Sequence, residues 1–188
     1  MTSTSTRQTN SPEPPPAAVA ADAHWAATRE RLRNRQRPIA PLTICDDVQI
    51  KKALEEAKWI VRRLTSQLET EPDNTDLKKD LATAQKDLDQ AQAAFDEVAI
   101  VLRFQALRRP DFEDLKKEHP PTEEQAEDSL VVNVETLGPA LIAASSLDGI
   151  TADDAKYYLA EWSEGEASAL FNTAWNVQSG TRMDVGKG

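Results

Sequence analysis

Apolar residues recur in alternating steps of four and three from Ile50 through Leu54, Ala57, Val61 and Leu64 to Leu68. The same steps return from Leu77 through Leu81, Ala84, Leu88, Ala91, Phe95 and Val98 to Leu102. Such spacing lines one side of a helix, so the pattern predicts two long helices. The first ends near Glu69, and the second opens at Asn74 or Thr75 and continues to Leu107. Pro72, Asp73 and Asn74 mark a tight connection between them. Neither helix can hide its stripe from water alone, and a short connection favours closure into an antiparallel hairpin. Asp46 or Asp47 is placed to cap the first helix, and Arg108, Arg109 and Pro110 break the second.

Downstream the pattern shortens. Asp111 to Glu118 reads as a helix with Phe112 and Leu115 inward, stopped by His119-Pro120-Pro121, and Glu123 to Asp128 as a polar turn or short helix. Asn133 is the expected cap of a helix through Ser145 that buries Leu137, Leu141 and Ile142, with Pro139 tolerated in its first turns. Thr151 with Asp154, and Ser163 with Glu166, have the three-residue spacing that lets a hydroxyl and a carboxylate cap a helix reciprocally. The two helices so opened carry Tyr158, Leu159 and Trp162, and Ala167, Leu170, Phe171, Ala174 and Trp175, an aromatic-rich core. Gly180 ends the last helix. Upstream, residues 1–20 are Thr, Ser, Pro and Ala with few bulky apolar side chains, so burial cannot repay their ordering. A helix is allowed from Asp22 to Gln36, with Trp25, Ala26, Arg29 and Leu32 at helical spacing, before Pro38 and Pro41.

The expected fold class is therefore all-α: a disordered Pro/Arg-rich arm over 1–41, an antiparallel helical hairpin over 42–109, an acidic helical domain over 110–180 and a flexible tail over 181–188. No internal repeat of solenoid length is present, and two to three and a half heptads per helix suit a hairpin or a four-helix pairing of two chains.

Composition removes several classes of chemistry. All six glycines lie at or after Gly138, which leaves no phosphate-cradling glycine loop in the first 137 residues, and neither nucleotide fingerprint occurs anywhere. The lone Cys45 has only His24 and His119 for company, too few for a zinc site. Asp148, Thr151, Asp153 and Asp154 lack the alternation, central Gly and terminal Glu of a calcium loop. Asp46 and Asp47 have no His, Lys or metal partner for acid–base work, and Ser145-Ser146 lacks the glycines of a nucleophile elbow. No catalytic, metal or cofactor residue is expected, and the chain is read as non-enzymatic. No run approaches the roughly 18 apolar residues of a membrane span, and no secretory leader opens the chain, so a cytoplasmic protein is expected.

Charge is split along the chain. Residues 1–41 hold six Arg against three acidic residues, whereas residues 111–188 hold five basic against 16 acidic ones. The acidic part repels phosphates and suits a basic protein partner, so nucleic acid is not the expected main ligand. Arg29, Arg31, Arg33, Arg35 and Arg37 leave two readings of the arm, a solvated linker or a docking element for an acidic surface. Trp59 falls off the stripe of its helix, beside Glu55, Glu56, Arg62 and Arg63. It is either a contact for another chain or an indole lying over neighbouring stems. Trp162, Phe171 and Trp175 are candidate partner contacts as well, with membership of a small core as the competing reading.

Three blocks carry a family resemblance. They are Arg103-Phe104-Gln105-Ala106-Leu107 with Phe112, Leu115 and His119-Pro120-Pro121; the run from Val132 to Ser145; and Trp162-Ser163-Glu164-Gly165-Glu166 with Leu170-Phe171, Ala174 and Asn176. In this order they resemble the tail assembly chaperones of long-tailed phages that infect actinobacteria, over about the last 85 residues. The entry Pro41-Leu42-Thr43-Ile44-Cys45 and the charged hairpin after it resemble the family's front half, while the extension before Pro41 lies outside the resemblance. The resemblance implies a protein of the infected host cytoplasm, absent from the mature virion. It binds the tape measure protein, with the tail tube protein as a further partner, and keeps it soluble during tube assembly. A structural tail or head-tail connector subunit and a helical regulatory adaptor with a nucleic-acid-binding arm are the alternatives, and homo-oligomerisation stays open.

Overall fold

The structure is a computed structural model that describes residues 16–181, with side-chain surroundings from residue 22 onward. The chain divides into two units, Met1–Arg37 and Pro38–Gly188. The described part of the first is one helix, α1 (Pro16–Arg33), with Trp25 and Leu32 exposed. Residues 16–20, expected in a flexible arm, thus lie in a helix, and the rest of that stretch falls outside the described residues.

The second unit runs β1 (Ile39–Ile44), α2 (Val48–Thr70), α3 (Thr75–Val98), β2 (Ile100–Gln105), α4 (Arg109–Glu118), α5 (Glu123–Glu127), α6 (Val134–Ser145), α7 (Ala152–Glu161) and α8 (Glu164–Ser179). The hairpin is present as the stripes require: Leu54, Leu64 and Ala84 are buried in its seam, and the other stripe positions from Ile50 to Phe95 are partly buried. Asp47 caps α2 by accepting from the amides of Gln49 and Ile50, and Asn74 caps α3 by accepting from those of Asp76 and Leu77. A short polar side chain satisfies the orphan amides of a first turn in this way.

The described residues are largely helical, as expected of an all-α chain, with one departure, a two-stranded antiparallel ribbon. β1 and β2 pair from Ile39 opposite Gln105 to Ile44 opposite Ile100, clamping the base of the hairpin. The second long helix therefore stops at Val98, and Leu102, read as the end of its stripe, faces Leu42 across the ribbon. β1 also crosses the boundary expected after residue 41. Leu102 stands four residues after Val98 and so satisfies the helical step, but the β-branched pair Ile100-Val101 favours an extended chain once a partner strand exists.

Pro41 sits opposite Arg103, whose amide points away from β1 and donates to the Asp148 carboxylate. That pair exchanges no ladder bond, which is where a residue without an N–H can sit in a strand. The far edge of β2 is covered by the loop after α6, where the Leu147 amide donates to the Arg103 carbonyl at 2.8 Å.

The core lies between the inner face of the ribbon and helices α4, α6, α7 and α8. Phe104, Leu137, Leu141, Ile142, Ala155, Leu170 and Ala174 are fully enclosed. Asn133 caps α6 through the amides of Glu135 and Thr136, and Pro139 lies in its second turn. The reciprocal boxes Thr151/Asp154 and Ser163/Glu166 both form, as does a third at Thr122/Gln125. The last helix ends at Gly180.

Candidate functional site

Helix α8 is the element around which the candidate site is built. Its buried face, Leu170, Ala174 and Val177, is fixed in the core, and its two flanks open onto separate grooves. On one flank Gly165, Glu166 and Ala169 face the end of the ribbon across a groove of about 430 Å³. Leu42, Ile44, Ile100 and Trp162 give this groove its apolar surface, and Asp46 and Lys51 give it charge. On the other flank Ala167, Ser168 and Phe171 face α6 and α7 across a more open groove of about 440 Å³. Gly138 and Pro139 of α6 and Leu159 and Ala160 of α7 complete it.

Two of the four candidate contacts line these grooves, and a third, Trp175, lies beside them on α8. Trp162, the C-cap of α7, stacks on Tyr158 at 4.9 Å between ring centroids and lines the ribbon groove. Phe171 lines the three-helix groove and stacks on Trp175 at 5.9 Å. Trp175 lines neither groove; it meets Phe112 edge to face at 5.7 Å and packs on the core. All three are partly buried: Trp162 and Trp175 pack against the core, and Trp162 and Phe171 keep a surface toward a groove. Trp59 stands apart on α2, 54 % exposed, with the Arg63 guanidinium 4.8 Å from its ring centroid. That cation–π contact lays a neighbouring side chain over the indole, most of whose surface still faces solvent.

Four of the carboxylates weighed for chemistry, Asp47, Asp148, Asp153 and Asp154, are engaged in caps or ion pairs. Asp148 accepts from the Arg103 amide at 2.6 Å and from the guanidinium at 2.6 and 3.1 Å. The guanidinium bonds, followed by the amide bond, hold its pKa below the usual carboxylate range. Asp154 and Glu166 are lowered in the same sense, first by the hydroxyls of Thr151 and Ser163 and then by the amides of those residues. Asp153 pairs with Lys156 at 3.5 Å. His119 contacts the Thr136 hydroxyl through Nδ1 at 3.0 Å. Cys45 is partly buried at the rim of the ribbon groove, its thiol 3.7 Å from the Asp47 carbonyl. Among the described residues no group of three or more His, Cys, Asp or Glu stands close enough to hold a metal ion, and no helix is long and apolar enough to cross a membrane.

Sequence reasoning did not assign the small residues to a groove, and it read Ala167 as core. Gly138, Ala160, Ala167 and Ser168 come from three helices and share a surface only after folding. Their one advance signal is smallness at positions flanking the apolar stripes. Comparison with protein-family models, with curated proteins and with solved structures gives no match.

Proposed function

We propose that this chain is a phage tail assembly chaperone that binds the tape measure protein and keeps it soluble while tail tube subunits assemble around it. The observation that carries the reading is the pair of grooves flanking α8, the three-helix groove mostly apolar and the ribbon groove mixed in lining, beside an acidic helical region. A tape measure protein presents long helical stretches whose apolar faces aggregate until the tube covers them. A chaperone needs grooves that shelter such faces and like charge that keeps the complex in solution. The three sequence blocks that resemble the family supply both groove-lining aromatics, Trp162 and Phe171. The protein acts by binding, in the infected host cytoplasm, and leaves before the particle is complete.

Co-expression with the tape measure protein tests the reading. The chaperone moves that protein from the insoluble to the soluble fraction and co-purifies with it, yet is missing from mass spectra of purified virions. Recovery from virions at structural stoichiometry would instead identify a tail or connector subunit. A second reading, a regulatory adaptor, draws on the exposed Arg29, Arg31, Arg33 and Arg35 of the first unit. It requires a salt-sensitive shift of DNA that disappears on deletion of residues 1–37.

A further inference from the structure

The groove between α6, α7 and α8 is bounded by helices alone, and this restricts what can lie in it. Helical walls have already spent their backbone donors and acceptors internally, so an extended peptide would bring amides and carbonyls that find few partners there. A helix satisfies its own backbone and needs only surface to bury. The lining is shaped for this: Ala160, Ala167 and Ser168 keep the α7 and α8 walls low enough for a second backbone to approach closely, while Leu159 and Phe171 are its bulky apolar members. Gly138 is buried, and a Cβ there would only just touch Leu159 and Phe171 at 3.5 Å.

Charge then selects among helices. Glu135 lines the groove, and Glu164 lies one turn before Ser168 on the same side of α8. Lys156 is the cation of the lining, and its pairing with Asp153 offsets its charge. The surround is therefore net acidic, as is the whole segment from 111 onward.

We propose that this groove takes an amphipathic helix of the partner whose buried face carries apolar residues at i, i+4 and i+7 and whose flanks carry Lys or Arg. The inference rests on the chaperone reading for the identity of that partner, but the groove's preference is testable without it.

The probe is a fluorescent 21-residue synthetic helix with Leu at that spacing and Lys on its flanks, titrated with the full chain and followed by anisotropy. Its counterparts are the same helix with Glu flanks and a scrambled sequence that cannot form the apolar stripe. Ala160→Arg and Ser168→Arg place a long cation in the groove from exposed positions, leaving the core untouched, and thermal melts verify that both variants fold. The Lys-flanked helix binds at least tenfold more tightly than either counterpart, and each Arg variant weakens it at least tenfold. Equal binding of the Glu-flanked or scrambled peptide, or undiminished binding by both folded variants, overturns the proposal. So does concentration-dependent dimerisation of the chain abolished by the same variants, which would make a second copy the occupant. If the natural tape measure protein is kept soluble equally well by the Arg variants, the groove assignment fails while the chaperone reading stands. If the Lys-flanked helix binds as described but the tape measure protein is not rescued, the reverse holds.

Discussion

Asp148 ties two distant segments together, because one carboxylate answers both the amide and the guanidinium of Arg103 and so fixes the loop after α6 to the edge of β2. Its lowered pKa means that the folded chain favours the charged form. The stabilisation is complete above the ordinary carboxylate range and is lost as pH falls below about 4, where the unfolded chain binds the proton first. Asp154 and Glu166, lowered by their capping boxes, add acid sensitivity of the same sign. Melting temperature measured between pH 7 and pH 3 should fall toward acid, and Asp148→Asn should lower it at pH 7 while flattening its acid limb. Asn133→Ala removes the acceptor for two amides of α6 and should cost about 1 kcal/mol in denaturant unfolding. Both capping boxes could be read in advance because a cap is a local contract between residues three apart. The role of Asp148 could not: its partner is 45 residues away, and in the sequence it is only an acid in a loop.

The helices of the hairpin were legible for the same reason that their end was not. From Ile50 to Phe95 the periodicity and the packing agree, and both N-caps fall at or beside the expected residues. Beyond Val98 two periods overlap. Leu102 continues the helical stripe, and Ile100, Leu102 and Phe104 also alternate as a strand face against Ala40, Leu42 and Ile44. What decides between them is pairing with a segment some 60 residues earlier, an interaction no local window contains. Leu54 is buried in the seam near the hairpin's base. Leu54→Ala should destabilise by about 2–5 kcal/mol in chemical denaturation, whereas Trp59→Ala, which gives up one exposed cation–π contact, should cost no more than about 1 kcal/mol.

For the whole chain, charge and groove together make the functional argument. The acidic character from residue 111 onward was visible in composition, as were the aromatics of the last two helices. Which aromatic faces a groove and which belongs to the core emerges only when α6, α7 and α8 are packed, since Phe171 and Trp175 occupy adjacent turns of one helix and differ in what lies opposite. A protein that works by covering another's apolar helices should do so in proportion to its amount and without turnover. Light scattering of the tape measure protein, diluted from denaturant into buffer containing increasing amounts of this chain, measures that directly. The account predicts scattering that falls with added chain and levels off at a fixed molar ratio, with no nucleotide required. Scattering that is unchanged at every ratio would contradict it.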